Sequence, residues 1–330
     1  MSFHLIYSLY KSSIYDNLII MTIGMRINVC KYDKSHLSNA KMIEVDWYEL
    51  RSQNFLSNLL RERCSNFYYF LSHFPVHRYL VRKFSKKGAK IILVQDGLKP
   101  YVKIENFNFY KFLSVTYNNI LEFLNIHDYA GMFMLFSYSN YVNDKRINEV
   151  WLTHPKSFSQ NINKNQSIIE IPEFSQNSIN HLALFYNYNL QIDFTVNSIL
   201  YITQPIELYE NRVIEIQFLK EFSSKHPQFK LFIKFHPSRD MVKKLFITEL
   251  PDAVFLEGIN FPAELIIQKM KKIIIMSLYS TALLINNPKC RFYFIYPILK
   301  SCNSCKSIVP NPIDHIKIIS TVEEIEFYEN

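Results

Sequence analysis

Three polar motifs each follow a hydrophobic run, and their side chains are of the types that carry out group transfer. They are Gln95-Asp96-Gly97 after residues 91–94, His236-Pro237 after residues 231–235, and Ser277-Leu278-Tyr279-Ser280-Thr281 after residues 273–276. In an open α/β sheet, ligands bind beyond the carboxyl ends of the strands. A carboxylate, an imidazole and two hydroxyls at that edge suit transfer from a negatively charged donor better than they suit a metal site.

Asp96 is the candidate general base. A carboxylate at the end of a strand can take the proton of an attacking hydroxyl, and Gly97 allows the backbone to turn sharply after it. The structural alternative is that Asp96 only caps the turn, because Asp-Gly is a common turn pair. The order of the three motifs favours the catalytic interpretation.

His236 is the candidate residue for the leaving group. An imidazole directly after a strand can donate to a phosphate oxygen or protonate a departing phosphate. Two further His-Pro pairs begin at His154 and His226, so the dipeptide is not specific by itself. The pair at His226 precedes its strand. His154 follows Trp151-Leu152 and is either another strand end or a residue of a surface loop, and we favour the loop.

Ser280 and Thr281 precede an apolar, helix-like run at 282–285. Hydroxyls and free backbone N–H groups at a helix start bind anions, although an ordinary N-cap has the same geometry.

Glu264 begins a predicted helix just before the strand that precedes the Ser/Thr motif. It either complements the helix dipole or, in a transferase, holds a ribose or a base.

Strands that alternate with helices predict an α/β fold with two Rossmann-like parallel-sheet domains facing each other across a cleft. A length of 330 residues also favours two domains, which we place at 1–190 and 191–330. Residues 48–84 are predicted to be largely helical with a break near Pro75, and residues 156–180 to be a linker or long loop. Predicted strands are 17–22, 90–94, 198–203, 229–235, 253–256 and 272–276; predicted helices are 177–188, 211–224, 239–247 and 262–271.

The scarcity of glycine and cysteine excludes several classes of protein. With five glycines there is no G-x-G-x-x-G or Walker motif, which argues against a dinucleotide site or a P-loop NTPase. Five cysteines are too few, and odd in number, for a disulfide framework. Cys302-x-x-Cys305 lacks a second cysteine or histidine pair, so we expect no metal there.

The chain carries a formal net charge of +8, and much of the basic excess lies between residues 61 and 90, interleaved with aromatic side chains. The segment is either a solvated helix face or a contact for an anionic membrane surface. Nucleic acid is a weaker candidate partner because no nucleic-acid-binding motif accompanies the charge. Neither a signal peptide nor a long apolar span is visible. We therefore expect a cytoplasmic protein that is able to lie on the inner membrane face.

These motifs resemble those of bacterial sialyltransferases, the group that includes lipooligosaccharide sialyltransferases and capsule polysialyltransferases. That group has an acidic pair followed by Gly, a His-Pro motif and a Ser/Thr-rich motif, in this order. The resemblance covers residues 90–285 in motif order. The matching stretches are Gln95-Asp96-Gly97, Phe235-His236-Pro237-Ser238, Pro262-Ala263-Glu264-Leu265-Ile266 (the Pro-x-Glu segment of the group) and Ser277 to Leu284.

The resemblance implies a GT-B fold with CMP-sialic acid as donor, without a metal or other cofactor. It also implies inverting transfer to a glycan hydroxyl of lipooligosaccharide or capsule polysaccharide. Asp96 would be the general base, and His236 would bind or protonate the departing CMP phosphate. The other donor-binding residues would be Pro237, Glu264 (on the cytidine ribose), Ser277, Ser280 and Thr281.

The chain departs from the group's pattern at two places. The first position of the acidic pair is Gln95, and residues 3–12 indicate a helix where the group usually has a first strand and a Ser- or Thr-containing loop. Two alternatives stay open at this point. One keeps the fold with another donor, CMP-Kdo or a nucleoside-diphosphate sugar, and the other is a non-catalytic protein of polysaccharide assembly.

Overall fold

The protein consists of two α/β units, seen in a computed structural model. The structure describes residues 18–24, 40–46, 52–70, 75–95, 98–104, 117, 120, 124, 142, 144–158, 162–173, 175–186, 188, 194–195, 197–204, 209–236, 243–256, 262–301, 308–310 and 312–328. The prediction for residues 3–12 lies outside the described residues. The strand predicted at 17–22 is present.

The first half contains seven strands and three helices within the described residues. They are β1 (Leu18–Gly24), β2 (Ala40–Asp46), α1 (Gln53–Leu59), β3 (Asn66–Tyr69), α2 (Pro75–Lys86), β4 (Lys90–Val94), β5 (Val102–Ile104), β6 (Glu149–Leu152), β7 (Ser167–Glu170) and α3 (Gln176–Phe185). Strands β3, β4, β6 and β7 form a parallel sheet in the order β3-β4-β6-β7, and β1 pairs with β2 in a separate parallel ribbon.

The second half is built around a six-stranded sheet. Its described elements are β8 (Ser198–Ile202), α4 (Tyr209–Lys225), β9 (Lys230–Lys234), α5 (Lys243–Glu249), β10 (Val254–Phe255), α6 (Ala263–Lys269), β11 (Ile274–Ser277), β12 (Arg291–Phe294), β13 (Ile308–Pro310) and β14 (Ile316–Ile318). The sheet order is β10-β9-β8-β11-β12-β14, and every pairing in it is parallel. The two parallel sheets confirm the predicted α/β fold of GT-B type.

Both faces of the central strands are covered, which explains their continuous apolar sequences. In β4, Ile91 and Leu93 pack in one buried cluster with Leu80 and Phe84 of α2. Ile92 and Val94 point the other way, into a second cluster, as successive residues of a strand must. Each fully buried side chain of this size contributes about 1.5–3 kcal/mol to folding.

The turn between α2 and β4 fixes where β4 begins. Gly88 has φ +83°, a left-handed conformation that glycine adopts without strain. The Ala89 N–H donates to Phe84 O over 3.1 Å and the Gly88 N–H donates to Ser85 O over 3.0 Å. These two bonds are the Schellman ending of a helix, and β4 starts two residues later.

Two of our predictions of local structure are wrong. Residues 48–84 are not largely helical, because Asn66–Tyr69 forms β3 beside β4. Phe67 packs on one face of the sheet and Tyr68 on the other, and such an apolar run cannot be told from a helix by periodicity. The supposed linker at 156–180 contains β7, whose short, partly exposed sequence is typical of an edge strand.

The two halves are in contact beside the first sheet. Tyr101 is fully buried, and with Leu98 it packs in the cluster that covers one face of the second sheet. β5 pairs antiparallel with β13, and Ser157 Oγ donates to Pro312 O over 2.7 Å. The boundary at 190/191 stays a prediction, and α3, which precedes it, packs in the same cluster as Leu98.

Candidate active site

Three neighbouring strands of the second sheet end at the candidate donor site. β8 lies between β9 and β11, so the residues after these strands come together. The His236 N–H donates to Thr203 Oγ1 over 2.9 Å, and Gln204 Nε2 donates to Ser277 Oγ over 3.5 Å. The residues that follow β8 therefore connect the histidine motif to the Ser/Thr motif.

The Ser/Thr motif forms a tight turn. Ser277 is fully buried, and its Oγ accepts the Ser280 N–H over 3.1 Å. Ser280 Oγ in turn accepts the Ala282 N–H over 3.3 Å and so caps the 3₁₀ helix Thr281–Leu284. Ser277 thus stabilises this turn through its side chain. Its predicted contact with the donor stays a prediction.

The Ser280 cap does not use the hydroxyl hydrogen. A serine hydroxyl has one O–H donor besides its two acceptor positions, and the cap occupies only an acceptor position. Ser280 keeps 6% of its surface exposed, and Thr281 is half-buried. The turn can therefore offer hydroxyl donors to an anion while it remains a helix cap, so the two interpretations of this motif are compatible.

A buried ion pair contacts the backbone of Gln204, the second residue after β8. Arg212 and Glu215 of α4 have fully buried side chains, and Arg212 Nη1 lies 2.7 Å from Glu215 Oε2. Arg212 Nη2 also donates to Gln204 O, and the Tyr201 hydroxyl donates to Glu215 Oε1. Burial and the nearby Glu215 carboxylate raise the pKa of Tyr201 well above its usual range, so this phenol stays protonated. The network holds Gln204 in place.

Gln95 fixes the strand ends of the first sheet. Its side chain is buried, and Oε1 accepts from the Thr153 N–H (2.8 Å), the Thr153 hydroxyl (2.9 Å) and the Tyr101 hydroxyl (2.5 Å). An oxygen acceptor is what this position requires, and glutamine supplies it without a buried charge. Asp96 and Gly97, which follow directly, lie outside the described residues.

The remaining predicted site residues are placed as follows. Glu264 is half-buried in the first turn of α6, and α6 packs against the 3₁₀ helix Thr281–Leu284. Pro237 lies outside the described residues, as do Cys302 and Cys305. In the part of the chain that the structure describes, no cluster of three or more His, Cys, Asp or Glu side chains could hold a metal ion.

The interpretation of His154 as a surface-loop residue is wrong. It is half-buried at the end of β6, and its Nε2 lies 2.7 Å from Leu284 O of the second half. The opposing carbonyl is 130 positions away in the sequence, and nothing in the local sequence indicates it. His226 lies where predicted, before β9, and packs on Phe222, Phe229 and Phe327.

Sequence reasoning also missed Thr203, Gln204 and Arg212. The first two are polar residues directly after the five buried residues of β8, the same signal that marked the other three motifs. Arg212 lies on a long helix with both polar and apolar residues, and nothing in its spacing shows that it is buried.

The two parallel sheets define a protein of GT-B type, and a family match identifies it as a glycosyltransferase of the sialyltransferase type. The chain belongs to the alpha-2,8-polysialyltransferase (POLYST) family, whose family model matches residues 19–290. No curated protein matches the chain in sequence.

Two solved structures are similar in overall shape. The UDP-GlcNAc 2-epimerase from Neisseria meningitidis bound to UDP-GlcNAc has 12% identity and a TM-score of 0.40, over 81% of this chain and 78% of that chain. The glycotransferase of kitacinnamycin has 7% identity and a TM-score of 0.43, over 94% and 87% of the two chains. Among the described residues, no helix has the length and apolar character needed to cross a bilayer.

Proposed function

We propose that this protein transfers sialic acid, or a related nonulosonic acid, from its CMP donor to a hydroxyl of a cell-surface glycan. The observation that carries the proposal is the family match over residues 19–290. The joined strand ends at His236, Thr203 and Ser277 support a donor site on the second sheet. The acceptor is a glycan of lipooligosaccharide or capsule, and the family's description makes an α2,8-linked sialic acid chain one acceptor to test.

The proposed mechanism is an inverting displacement. Asp96 takes the proton of the acceptor hydroxyl, the hydroxyl oxygen forms a bond to the anomeric carbon, and the bond from that carbon to the CMP phosphate oxygen breaks. His236 donates to the departing phosphate, and the hydroxyls of Ser280 and Thr281 bind its oxygens. The leaving group is a monophosphate, so these donors can meet its charge and the reaction is proposed to need no metal.

The direct test is to follow CMP release from CMP-N-acetylneuraminic acid. The reaction is run without acceptor, with a galactose-terminated glycan, and with an α2,8-linked oligosialic acid, each with and without EDTA. We expect acceptor-stimulated release that is the same in EDTA. Absence of both CMP release and CMP binding would contradict the proposal, and the same assay with CMP-Kdo would then test the nearest alternative donor.

Replacing His236 by Ala should weaken CMP binding and transfer together. A hydrogen bond to a charged phosphate contributes about 1.5–3 kcal/mol, which corresponds to about 10–150-fold in affinity. Isothermal titration with CMP and initial rates of transfer measure the two effects. The matched control is His226→Ala, at the opposite end of β9, which should leave CMP affinity unchanged. Equal losses in the two variants would contradict the role of His236.

We further propose that α2 brings the enzyme to an anionic membrane surface on the cytoplasmic side. Lys86 and Lys87 are exposed at the end of α2, and Lys83 lies over the Tyr79 ring with its Nζ 5.3 Å from the centroid. Each basic side chain near such a surface contributes about 1 kcal/mol to binding. Attachment there would place the first sheet beside a lipid-linked acceptor.

Reversing the charges at Lys83, Lys86 and Lys87 to Glu should lower binding to phosphatidylserine vesicles by about 100-fold or more. Co-sedimentation with the vesicles at low and high salt measures this loss of binding. The rate of transfer to a soluble acceptor should stay at the wild-type value. The control variant reverses three exposed lysines of the second half, Lys244, Lys271 and Lys289, for the same change in net charge. If both triple variants lose binding equally, the attraction is not specific to α2.

A further inference from the structure

His154 makes a hydrogen bond from the first half to the turn that carries the Ser/Thr motif. Its Nε2 lies 2.7 Å from Leu284 O, the last carbonyl of the 3₁₀ helix Thr281–Leu284. A carbonyl oxygen only accepts, so Nε2 carries a hydrogen and is the donor of this bond. The candidate phosphate-binding turn is therefore held from the opposite half of the molecule.

The same residue is tied to the end of β4. The His154 N–H donates to the Tyr101 hydroxyl over 3.0 Å, and that hydroxyl donates to Gln95 Oε1 over 2.5 Å. Burial raises the pKa of Tyr101, so the phenol keeps its proton and can donate. A continuous chain of hydrogen bonds thus runs from Gln95, the neighbour of Asp96, to Leu284.

A second imidazole reinforces this contact from within the second half. His315 Nε2 lies 2.9 Å from Leu283 O, and the rings of His154 and His315 are 5.1 Å apart. Burial lowers the pKa of His315, with a further lowering from the nearby His154. Two consecutive carbonyls of the turn are therefore held by imidazoles from different halves.

We propose that His154 is a positioning residue, which fixes the separation between the end of β4 that carries Asp96 and the turn that carries Ser280 and Thr281. The inference rests on the proposed function, because it assigns the base to the first half and the donor phosphate to the second. Neither half alone determines the distance between the reacting groups, so a contact between the halves must do so.

This role predicts a separation of binding from transfer. The candidate donor contacts at His236, Ser280 and Thr281 all belong to the second half. When His154 is lost, the bonds to Ser277 and His315 still maintain the shape of the turn, and only its position relative to the first half changes. A displacement of about 1 Å between reacting groups costs on the order of 100-fold in rate. His154→Leu should therefore lower kcat for transfer by about 10–100-fold while CMP affinity changes by less than about twofold.

The experiment compares variants at His154 with matched controls. His154→Gln keeps an N–H donor at the reach of Nε2 and should recover most of the lost rate. Ser157→Ala removes a different bond between the halves, the one to Pro312 O, and should leave kcat unchanged. Tyr101→Phe removes the hydroxyl that connects His154 to Gln95. It should lower kcat without changing CMP affinity, and it tests the inference even if His154→Leu does not fold.

The outcomes separate the two proposals. Wild-type protein that neither binds CMP nor releases it would overturn the proposed function and this inference with it. Wild-type activity with an unchanged kcat in His154→Leu and Tyr101→Phe would overturn only the inference. A parallel fall in CMP affinity and kcat, or equal losses in His154→Leu and His154→Gln, would also overturn it.

Discussion

Replacing Asp96 by Asn is expected to lower the rate of transfer by about 10²–10⁴-fold, the usual contribution of a general base. CMP affinity should stay within about twofold, because the substitution removes the proton acceptor and keeps the shape of the side chain. Single-turnover transfer with saturating CMP-N-acetylneuraminic acid measures the first effect, and isothermal titration with CMP measures the second.

Asp252→Asn is a suitable control for this experiment. Asp252 is exposed in the turn before β10 of the second half, so the same chemical change there should leave the rate unaltered. A wild-type rate in Asp96→Asn would show that another group accepts the acceptor proton. A loss of CMP binding in that variant would assign Asp96 to the donor site.

Arg212→Leu is expected to lower the free energy of unfolding by about 3–5 kcal/mol, because it leaves the Glu215 carboxylate buried without its guanidinium. The variant also removes the donor to Gln204 O, which lies between the histidine and Ser/Thr motifs. We therefore expect CMP affinity to fall as well. Urea denaturation followed by tryptophan fluorescence and circular dichroism measures the stability.

The double variant Arg212→Leu, Glu215→Leu tests the cause of this loss. Removal of both charges leaves no buried charge, so the double variant should be more stable than Arg212→Leu alone. Tyr201→Phe, which removes only the hydroxyl bonded to Glu215, should cost about 1–3 kcal/mol. A loss below about 1 kcal/mol in Arg212→Leu would contradict the proposed role of the pair.

Much of the second half could be predicted from the sequence because its strands are short apolar runs followed at once by polar residues. The strands predicted at 198–203, 229–235 and 272–276 correspond to β8, β9 and β11. Their order in the sheet brings His236 and Ser277 to the two sides of Thr203 and Gln204. Strand ends in a parallel sheet lie on one edge whatever the details of packing.

The errors have a common physical origin, which is that burial depends on residues distant in the sequence. The aromatic run in β3 has the composition of a buried helix, and only pairing with β4 decides between the two structures. His154 has a polar side chain beside a proline, as many loop residues do. Only its contact with Leu284 O, which the local sequence does not reveal, distinguishes it from them. The same limit applies to Arg212, whose partners are Gln204 and Glu215.

The antiparallel pair of β5 and β13 has a consequence for the biosynthesis of this chain. β5 leaves the ribosome before any strand of the second sheet, whereas β13 follows every strand of that sheet except β14. His315 is made later still. Pairings so distant in sequence close slowly because the loop entropy must be overcome first. The two halves of the enzyme can thus begin to fold during translation, but the pairing of β5 with β13 forms only after β12 has been made.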